Sequence, residues 1–566
     1  MASSPDILST PCDATPVRFT RLDWVFLGFV LFVPVIPNLI YLGTVPPRSF
    51  WLGEFVTSSL LVLSPLLLGV RPRVAVVLLI PFAALTPFVS AYAIATGYPP
   101  SLLILQILRE ASREELYTFI VPLMVCSGIA VGIAIAYWRV AARWAHQPVP
   151  LGYRYRAGGL VLLVAVLAKD IPGNGIAPGA VILLSRLEKA HPTAVPVLTL
   201  QLQFGQNVIA DRTAVLQHAA INRLAPFEAR EICVLVVGES ARKRAFGLYN
   251  PQLATNPLLG QRELILFRDA VSCGTATIQS VPILLTGQLP DQGQLLPYRH
   301  LGLVEIFRLA GFQTKWIATH EADGQISSFI TPFSANAQER IFLNGRMERS
   351  KFRNPELKND GALLAPLARA IRDEPGPLFV ALHTLGGHMP YLRRYPPEFE
   401  KWPVDPKARE DMWRWVPPFD QHQREQIDRA YLNTVLYTDW FLDQVIATLS
   451  ATGGVSSMIY LSDHGENDAA ASVMPAGHAV LSDDVVNIPM FIWLSPQFRQ
   501  VRPEIAAALA ANAEKRVSAQ DIFATVCSLH ALAVPDADPA RSLAMPTYRE
   551  HPRKVMLLDC QIVTLP

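Results

Sequence analysis

Four apolar stretches fill the first 140 or so residues: Trp24–Leu42, Phe55–Val70, Val74–Thr96 and Tyr117–Trp138. A helix rises 1.5 Å per residue, so each is about long enough to cross the roughly 30 Å hydrocarbon core of a bilayer. A fifth, Tyr153–Ile171, carries a shorter clean run, Ala157–Ala168, and leans on its flanks. Nothing else in the chain limits the fold as strongly. A segment in lipid must satisfy its backbone polar groups internally, which makes these stretches helices. The expectation is an α-helical transmembrane domain of about five spans over residues 1–172.

Basic residues orient the spans. Arg18 and Arg21 precede the first, Arg71 and Arg73 lie between the second and third, and Arg139, Arg143, Arg154 and Arg156 lie between the fourth and fifth. The alternate loops carry Arg48, then Arg109 and Arg113 beside Glu110, Glu114 and Glu115. The excess on one side puts the N-terminus in the cytoplasm and exports the chain beyond the fifth span. No small-residue cleavage site comes after the first span, which therefore reads as an anchor. The formal net charge of +2 predicts no nucleic-acid partner. Six scattered cysteines, Cys12, Cys126, Cys233, Cys273, Cys527 and Cys560, form no CxxC pair and predict mostly buried thiols.

Residues 173–229 read as a connector. Gly173–Gly179 breaks structure, and Ile182–Ala190 and Asp211–Arg223 are expected helices that either lie on the membrane surface or pack on the soluble part. From residue 230 the pattern changes. Short apolar runs at Ile232–Val237, Leu264–Phe267, Thr314–Ala318, Leu378–Leu382, Met458–Leu461 and Ile488–Trp493 read as strands. Helical patterns at Leu303–Ala310, Leu363–Arg372, Arg424–Ser450 and Ser518–Leu529 lie between and after them. The alternation predicts an α/β sandwich with a mostly parallel central sheet over residues 230–566.

Chemistry gathers at the expected strand ends. Val236-Val-Gly-Glu-Ser-Ala-Arg242 closes one strand on Glu239. Met458-Ile-Tyr-Leu-Ser-Asp-His-Gly-Glu-Asn467 closes another on Asp463 and His464. The carboxyl edge of such a sheet is where open α/β folds hold their ligands. Each segment alone also reads as a polar strand end that caps a turn. Ser272-Cys-Gly-Thr-Ala-Thr277 ends where a helix is expected to open, so Thr277 is either an N-cap or a hydroxyl set at the positive end of a helix. His383-Thr-Leu-Gly-Gly-His388 follows a third strand, as a phosphate or metal loop or as two ordinary loop histidines. His320 follows a fourth strand, and His478 lies in the loop beyond His464. Together, Glu239, Thr277, Asp463 and His464 make a zinc-type ligand set with a hydroxyl inside it.

The order Gly-Glu-Ser-x-Arg, Ser-Cys-Gly-Thr-Ala-Thr with Ser-Val-Pro, His-Thr-Leu-Gly-Gly-His-x-Pro-Tyr and Ser-Asp-His-Gly-Glu resembles the lipid A phosphoethanolamine transferases. These belong to the alkaline phosphatase/sulfatase superfamily and include the colistin-resistance enzymes. The segment Tyr431–Trp440 and the layout of five spans, connector and periplasmic domain also look like theirs. The resemblance implies a multi-pass protein of the bacterial inner membrane with its catalytic domain in the periplasm. It implies Zn2+ held by Glu239, Thr277, Asp463 and His464, with Thr277 as the nucleophile. His388 and His478 are implied to hold the transferred phosphate or a second zinc, with His383 and His320 beside them. The implied donor is phosphatidylethanolamine, and the implied acceptor is lipopolysaccharide or another envelope glycan. A phosphoglycerol transferase or a phosphatase of the same superfamily is the alternative. A non-catalytic scaffold is disfavoured by the four residues together. The Cys/Ser-x-Pro-x-Arg signature of sulfatases is missing at Cys273–Thr277.

The chain departs from that family at three places. Ile283 stands where the family often has a cysteine paired with the one before the nucleophile. His320 and Gly324 fall where the family has Asn and Lys. The loop Asn467–Gly477 is replaced, and His478 is followed by Ala479.

Overall fold

The computed structural model describes residues 20–44, 48–96, 120–145, 152–168, 191, 195, 221–225, 227–288, 300–320, 327–344, 358–407, 420–468, 478, 481–534, 537–557 and 561–565. They fall into two compact units, Met1–Pro100 with Val121–Thr199, and Ser101–Ile120 with Leu200–Pro566.

The first unit is helical. Among the described residues, three helices are long and apolar enough to cross a membrane: Arg21–Gly43, Pro72–Ile94 and Val121–Arg143. This is fewer than the five expected spans. Phe55–Leu67 is a shorter apolar run within the 20-residue helix Arg48–Leu67. Tyr153–Ala168 has 16 residues, about 24 Å of helix, and 169–171 of the expected fifth span lie outside the described residues. Thr20 and Asp23 form a capping box at the start of the first helix. The buried Asp23 carboxylate then accepts from Arg143 Nε at 2.8 Å and Trp144 Nε1 at 3.0 Å, which ties two helices together. Met124, Val125, Ile129, Val131, Ile135 and Trp138 stay exposed on the Val121–Arg143 helix, a larger apolar surface than single scattered residues make.

The second unit is built on a seven-stranded sheet. In chain order its strands are β1 (Glu231–Gly238), β2 (Leu264–Leu266), β3 (Gln313–Ala318), β4 (Glu339–Phe342), β5 (Leu378–His383), β6 (Val455–Ser462) and β7 (Met490–Leu494). Their spatial order is β2-β7-β6-β1-β5-β3-β4. Every residue of β1, β5 and β6 is buried, which is why these strands read as continuous apolar runs. Alternate side chains enter two different cores. Cys233, Leu235 and Val237 face one, with Val281, Leu284, Phe307, Ile522 and Val526 from the helices on that side. Ile232, Val234 and Val236 face the other, with Ile427, Ala430, Val435, Leu442, Val445 and Leu449 of the long helix Gln421–Ser450. Each fully buried aliphatic side chain contributes about 1.5–3 kcal/mol, so a one-residue slip of β1 would exchange both cores.

The sheet is mixed, with four of its six strand pairings parallel. β6, β1, β5, β3 and β4 pair in parallel, whereas β7 pairs antiparallel with both β6 and β2. The reason lies in the connection. A parallel return needs a crossover running back along the sheet. The described ends of the connection after β6 instead meet at the strand's carboxyl edge, where Gly465 N bonds Val485 O and Ser462 N bonds Pro489 O. The chain enters β7 from that edge and must run backwards.

β4, a half-exposed edge strand with only two apolar residues, carries no strand pattern in the sequence. Two expected helices are also corrected. Asp211–Arg223 was expected to be helical, but Asn222–Arg223 pairs antiparallel with Leu532–Ala533, and the rest of that segment lies outside the described residues. The last helix starts at Asp521 instead of Ser518, because Arg516–Ser518 pairs with Asp269–Val271. The expected helix Ile182–Ala190 lies outside the described residues, as do Gly324 and 469–477 of the loop after Asp468.

Candidate active site

Register brings the motif-bearing ends together. Gly238 of β1 pairs with Ser462 of β6, Val237 with His383 of β5, and His383 with Ala318 of β3. Glu239, Asp463-His464, Thr384 and Thr319-His320 therefore leave four neighbouring strands at one carboxyl edge. Thr277 reaches the same place as the first residue of the helix Thr277–Thr286, after Ala276 in an extended conformation. Thr277, Glu239, Asp463 and His464 are all buried.

The Thr277 hydroxyl lies 3.0 Å from Glu239 Oε2, 3.2 Å from Glu239 Oε1 and 3.1 Å from His464 Nε2. His464 Nδ1 faces the Gly465 carbonyl at 2.8 Å. Only an N–H can make that contact, so Nε2 carries the lone pair. Burial, then the nearby His478, holds His464 well below the ordinary histidine range. The 3.4 Å approaches of Nε2 to Glu239 Oε1 and Asp463 Oδ2 are thus lone pairs meeting carboxylates and not ion pairs. Asp463 Oδ1 accepts from Ser240 N at 3.2 Å and His464 N at 2.7 Å, while Oδ2 is buried with no hydrogen-bond donor.

The single Thr277 hydroxyl proton faces three acceptors, both Glu239 oxygens and His464 Nε2. Burial, and next the Asp463 charge, pushes Glu239 well above the usual carboxylate range, and burial pushes Asp463 up to about 6. Two carboxyls and a neutral imidazole, all desolvated and facing one another, are the environment a divalent cation neutralises. Glu239, Asp463 and His464 offer ligand atoms that all lie within 4.8 Å of one another. The mixed oxygen and nitrogen donor set suits zinc.

The four further histidines sort into two pairs. His388 and His478 have ring centroids 5.8 Å apart, and His478 lies 4.2 Å from the His464 ring. His478 Nδ1 is 3.2 Å from Glu466 Oε2. Burial alone would raise Glu466, but the hydrogen bonds from His478 and Tyr391 outweigh it and hold the carboxyl low. His320 and His383 stack at 3.9 Å on the other strand ends, and with Glu239 they form a second set of ligand atoms within 4.8 Å.

Among the supporting residues, Ser240, Gly386, Tyr391 and Tyr431 lie within the motifs quoted above, whereas Asp360 carries no sequence signal of its own. Ser240 sits at φ +54°, a left-handed conformation that is uncommon for a residue with a Cβ. It is held there by its N–H on Asp463, its hydroxyl on Glu239 Oε1 at 2.8 Å, and its carbonyl under the Tyr431 hydroxyl at 2.9 Å. Tyr391 donates to Glu466 Oε1 at 2.7 Å. Asp360 collects the Thr319 hydroxyl and the N–H groups of Leu385 and Gly386, which shapes the His383–His388 turn. Gly386 is at φ +38°, and a Cβ there would meet the Glu239 carbonyl at 2.6 Å, so the turn can lie on the Glu239 backbone only with glycine. Cys273 is free and buried, and Ile283 stands at the position where the resemblance had a second cysteine.

The sulfatase family model matches residues 232–531. The chain is 29% identical over 310 residues to the phosphoethanolamine transferase EptA of Salmonella typhimurium, covering 53% of each chain. It thus spans about half the length of that curated relative. The EptA structure from Neisseria meningitidis, an integral membrane lipooligosaccharide phosphoethanolamine transferase, aligns with a TM-score of 0.63 at 20% identity, over 92% of this chain and 98% of that one. The periplasmic domain of EptC from Escherichia coli, in complex with Zn, aligns with a TM-score of 0.52 at 22% identity, over 60% of this chain and 92% of that domain.

Proposed function

The chain belongs to the sulfatase family, and on that footing we propose that it is a zinc-dependent phosphoethanolamine transferase of the bacterial inner membrane. In this reading it takes phosphoethanolamine from phosphatidylethanolamine and delivers it to an envelope acceptor such as lipid A or core lipopolysaccharide. Residues 1–172 form the multi-pass anchor, 173–229 the connector and 230–566 the periplasmic catalytic domain. The single observation that carries the reading is the Thr277 hydroxyl, which opens a helix while lying 3.0 Å from Glu239 and 3.1 Å from His464.

Glu239, Asp463 and His464, with Thr277, would hold the zinc ion. When bound, it lowers the pKa of a hydroxyl and stabilises charge on a phosphoryl oxygen. The rest falls to the chain. Glu239 Oε2 holds the Thr277 proton and orients Oγ. The first turn of the Thr277–Thr286 helix turns its positive end toward the phosphate. Oγ attacks phosphorus, and the bond to the diacylglycerol oxygen breaks. The proton lost by Thr277 balances the one gained by diacylglycerol. In the second step an acceptor oxygen attacks the same phosphorus, and Thr277 leaves and regains a proton. His388 and the Glu466-oriented His478 line the side from which the phosphoryl oxygens are held.

The test is mass spectrometry of the full-length protein after incubation with phosphatidylethanolamine vesicles. A phosphoethanolamine adduct on Thr277, absent from Thr277→Ala, is the expected result. An adduct on another residue, or an unmodified Thr277 under conditions of donor turnover, overturns the reading.

A further inference from the structure

We propose that Glu239, His320 and His383 form a second transition-metal site that shares the Glu239 carboxylate with the Glu239–Asp463–His464 centre. The proposal rests on the reading of that centre as the primary zinc site. Three observations carry it. The first is convergence: the three residues offer ligand atoms within 4.8 Å of one another. The second is an unsatisfied atom, His383 Nε2, which is buried with no hydrogen-bond partner in a residue that is 2% exposed. Leaving such an atom bare costs about 1–3 kcal/mol, so a purely structural histidine at the end of β5 would be expected to find a partner.

The third is the tautomer of His320. Its Nε2 lies 2.9 Å from the Thr384 carbonyl. That nitrogen must donate, so Nδ1 carries a lone pair. A ring nitrogen held by a backbone carbonyl while the other is left bare is the orientation that metal-ligating histidines adopt. His464 shows the same arrangement on Gly465 at the primary centre. The two rings stack at 3.9 Å, an arrangement in which neither hydrogen-bonds to the other. Two imidazoles and one carboxylate select a zinc-class ion over calcium or magnesium, which favour all-oxygen sets. A carboxylate common to both sets is how paired metal sites about 3.5–4 Å apart are joined.

The experiment counts metal on the full-length protein in detergent, stripped with chelator, reloaded with zinc, desalted and measured by elemental mass spectrometry. His320→Gln and His383→Gln should each lose one zinc equivalent relative to wild type while keeping the equivalent that Asp463→Asn loses. Melting curves of the stripped proteins separate a lost site from a lost fold. As a measurement on the wild type alone, cobalt titration should add one absorbing equivalent beyond the first. Unchanged zinc content in both histidine variants, or a wild type that binds one equivalent held only through Asp463, overturns the second site and leaves the primary one standing. Loss of zinc in the histidine variants with none lost in Asp463→Asn overturns the primary reading instead.

Discussion

The Thr277 hydroxyl donates to Glu239 Oε2 over 3.0 Å, from the first residue of a helix to the last residue before a left-handed turn. Two elements 38 positions apart thereby meet on one proton. The arrangement separates chemistry from folding. Thr277→Ala should abolish the covalent adduct and transfer, while thermal melting moves by only a few degrees because one neutral hydrogen bond is worth about 1 kcal/mol. Thr277→Ser, which keeps the oxygen, should retain measurable transfer. Full transfer in Thr277→Ala would remove Thr277 from the reaction.

Ser240 holds its φ of +54° against the ordinary preference of a residue with a Cβ. A glycine there would relieve about 1 kcal/mol of backbone strain while giving up the hydroxyl contact to Glu239. Alanine would give up the contact and keep the strain. Ser240→Ala is therefore expected to be less stable than Ser240→Gly by about 1 kcal/mol in chemical denaturation. Equal stability would mean that the strain is relieved by backbone adjustment.

Metal removal should act through the carboxylates. With the cation gone, burial raises Asp463 to about 6 and Glu239 further still. A carboxyl raised on folding contributes stability that is present below its unfolded pKa of about 4 and is lost as pH rises through the folded value. Chelator should thus lower the melting temperature more at pH 8 than at pH 5. A chelator effect that is flat across this range would show that these carboxyls are not held by a cation.

At the opposite edge of the sheet, His530 Nδ1 lies 2.6 Å from Glu231 Oε1, and both residues are buried. Burial opposes the charged imidazole, but Cys233 and Glu231 outweigh it and raise His530 to about 10. Its contribution is complete below about pH 6.5 and is lost as pH rises through about 10. Glu231→Gln removes the carboxylate that both His530 and Arg223 pair with, and should destabilise the domain by about 3–5 kcal/mol at pH 7, with a smaller deficit at pH 10. Urea unfolding at the two pH values tests this. A deficit that does not shrink would mean that the histidine is neutral throughout.

The central strands were legible because burial on both faces leaves no room for polar residues, so β1, β5 and β6 announce themselves as apolar runs. The site residues at their ends were legible for the complementary reason. Glu239, Asp463 and His464 interrupt apolar runs where a loop should carry only turn residues. Edge strand β4 and the short pairing strands were not legible, since their identity comes from a neighbour's free backbone groups and not from their own side chains.

By itself, then, the sequence determined which segments are apolar enough to be helices in lipid or strands in a core, and which reactive side chains end those strands. Local composition suffices for that, because burial is decided residue by residue. Only the tertiary structure decided the reversed direction of β7, the left-handed Ser240, and the division of His320 and His383 from His388 and His478 around one acidic centre. Those are relations between distant segments. They depend on register and on which lone pairs face each other, and no stretch of sequence carries that information alone.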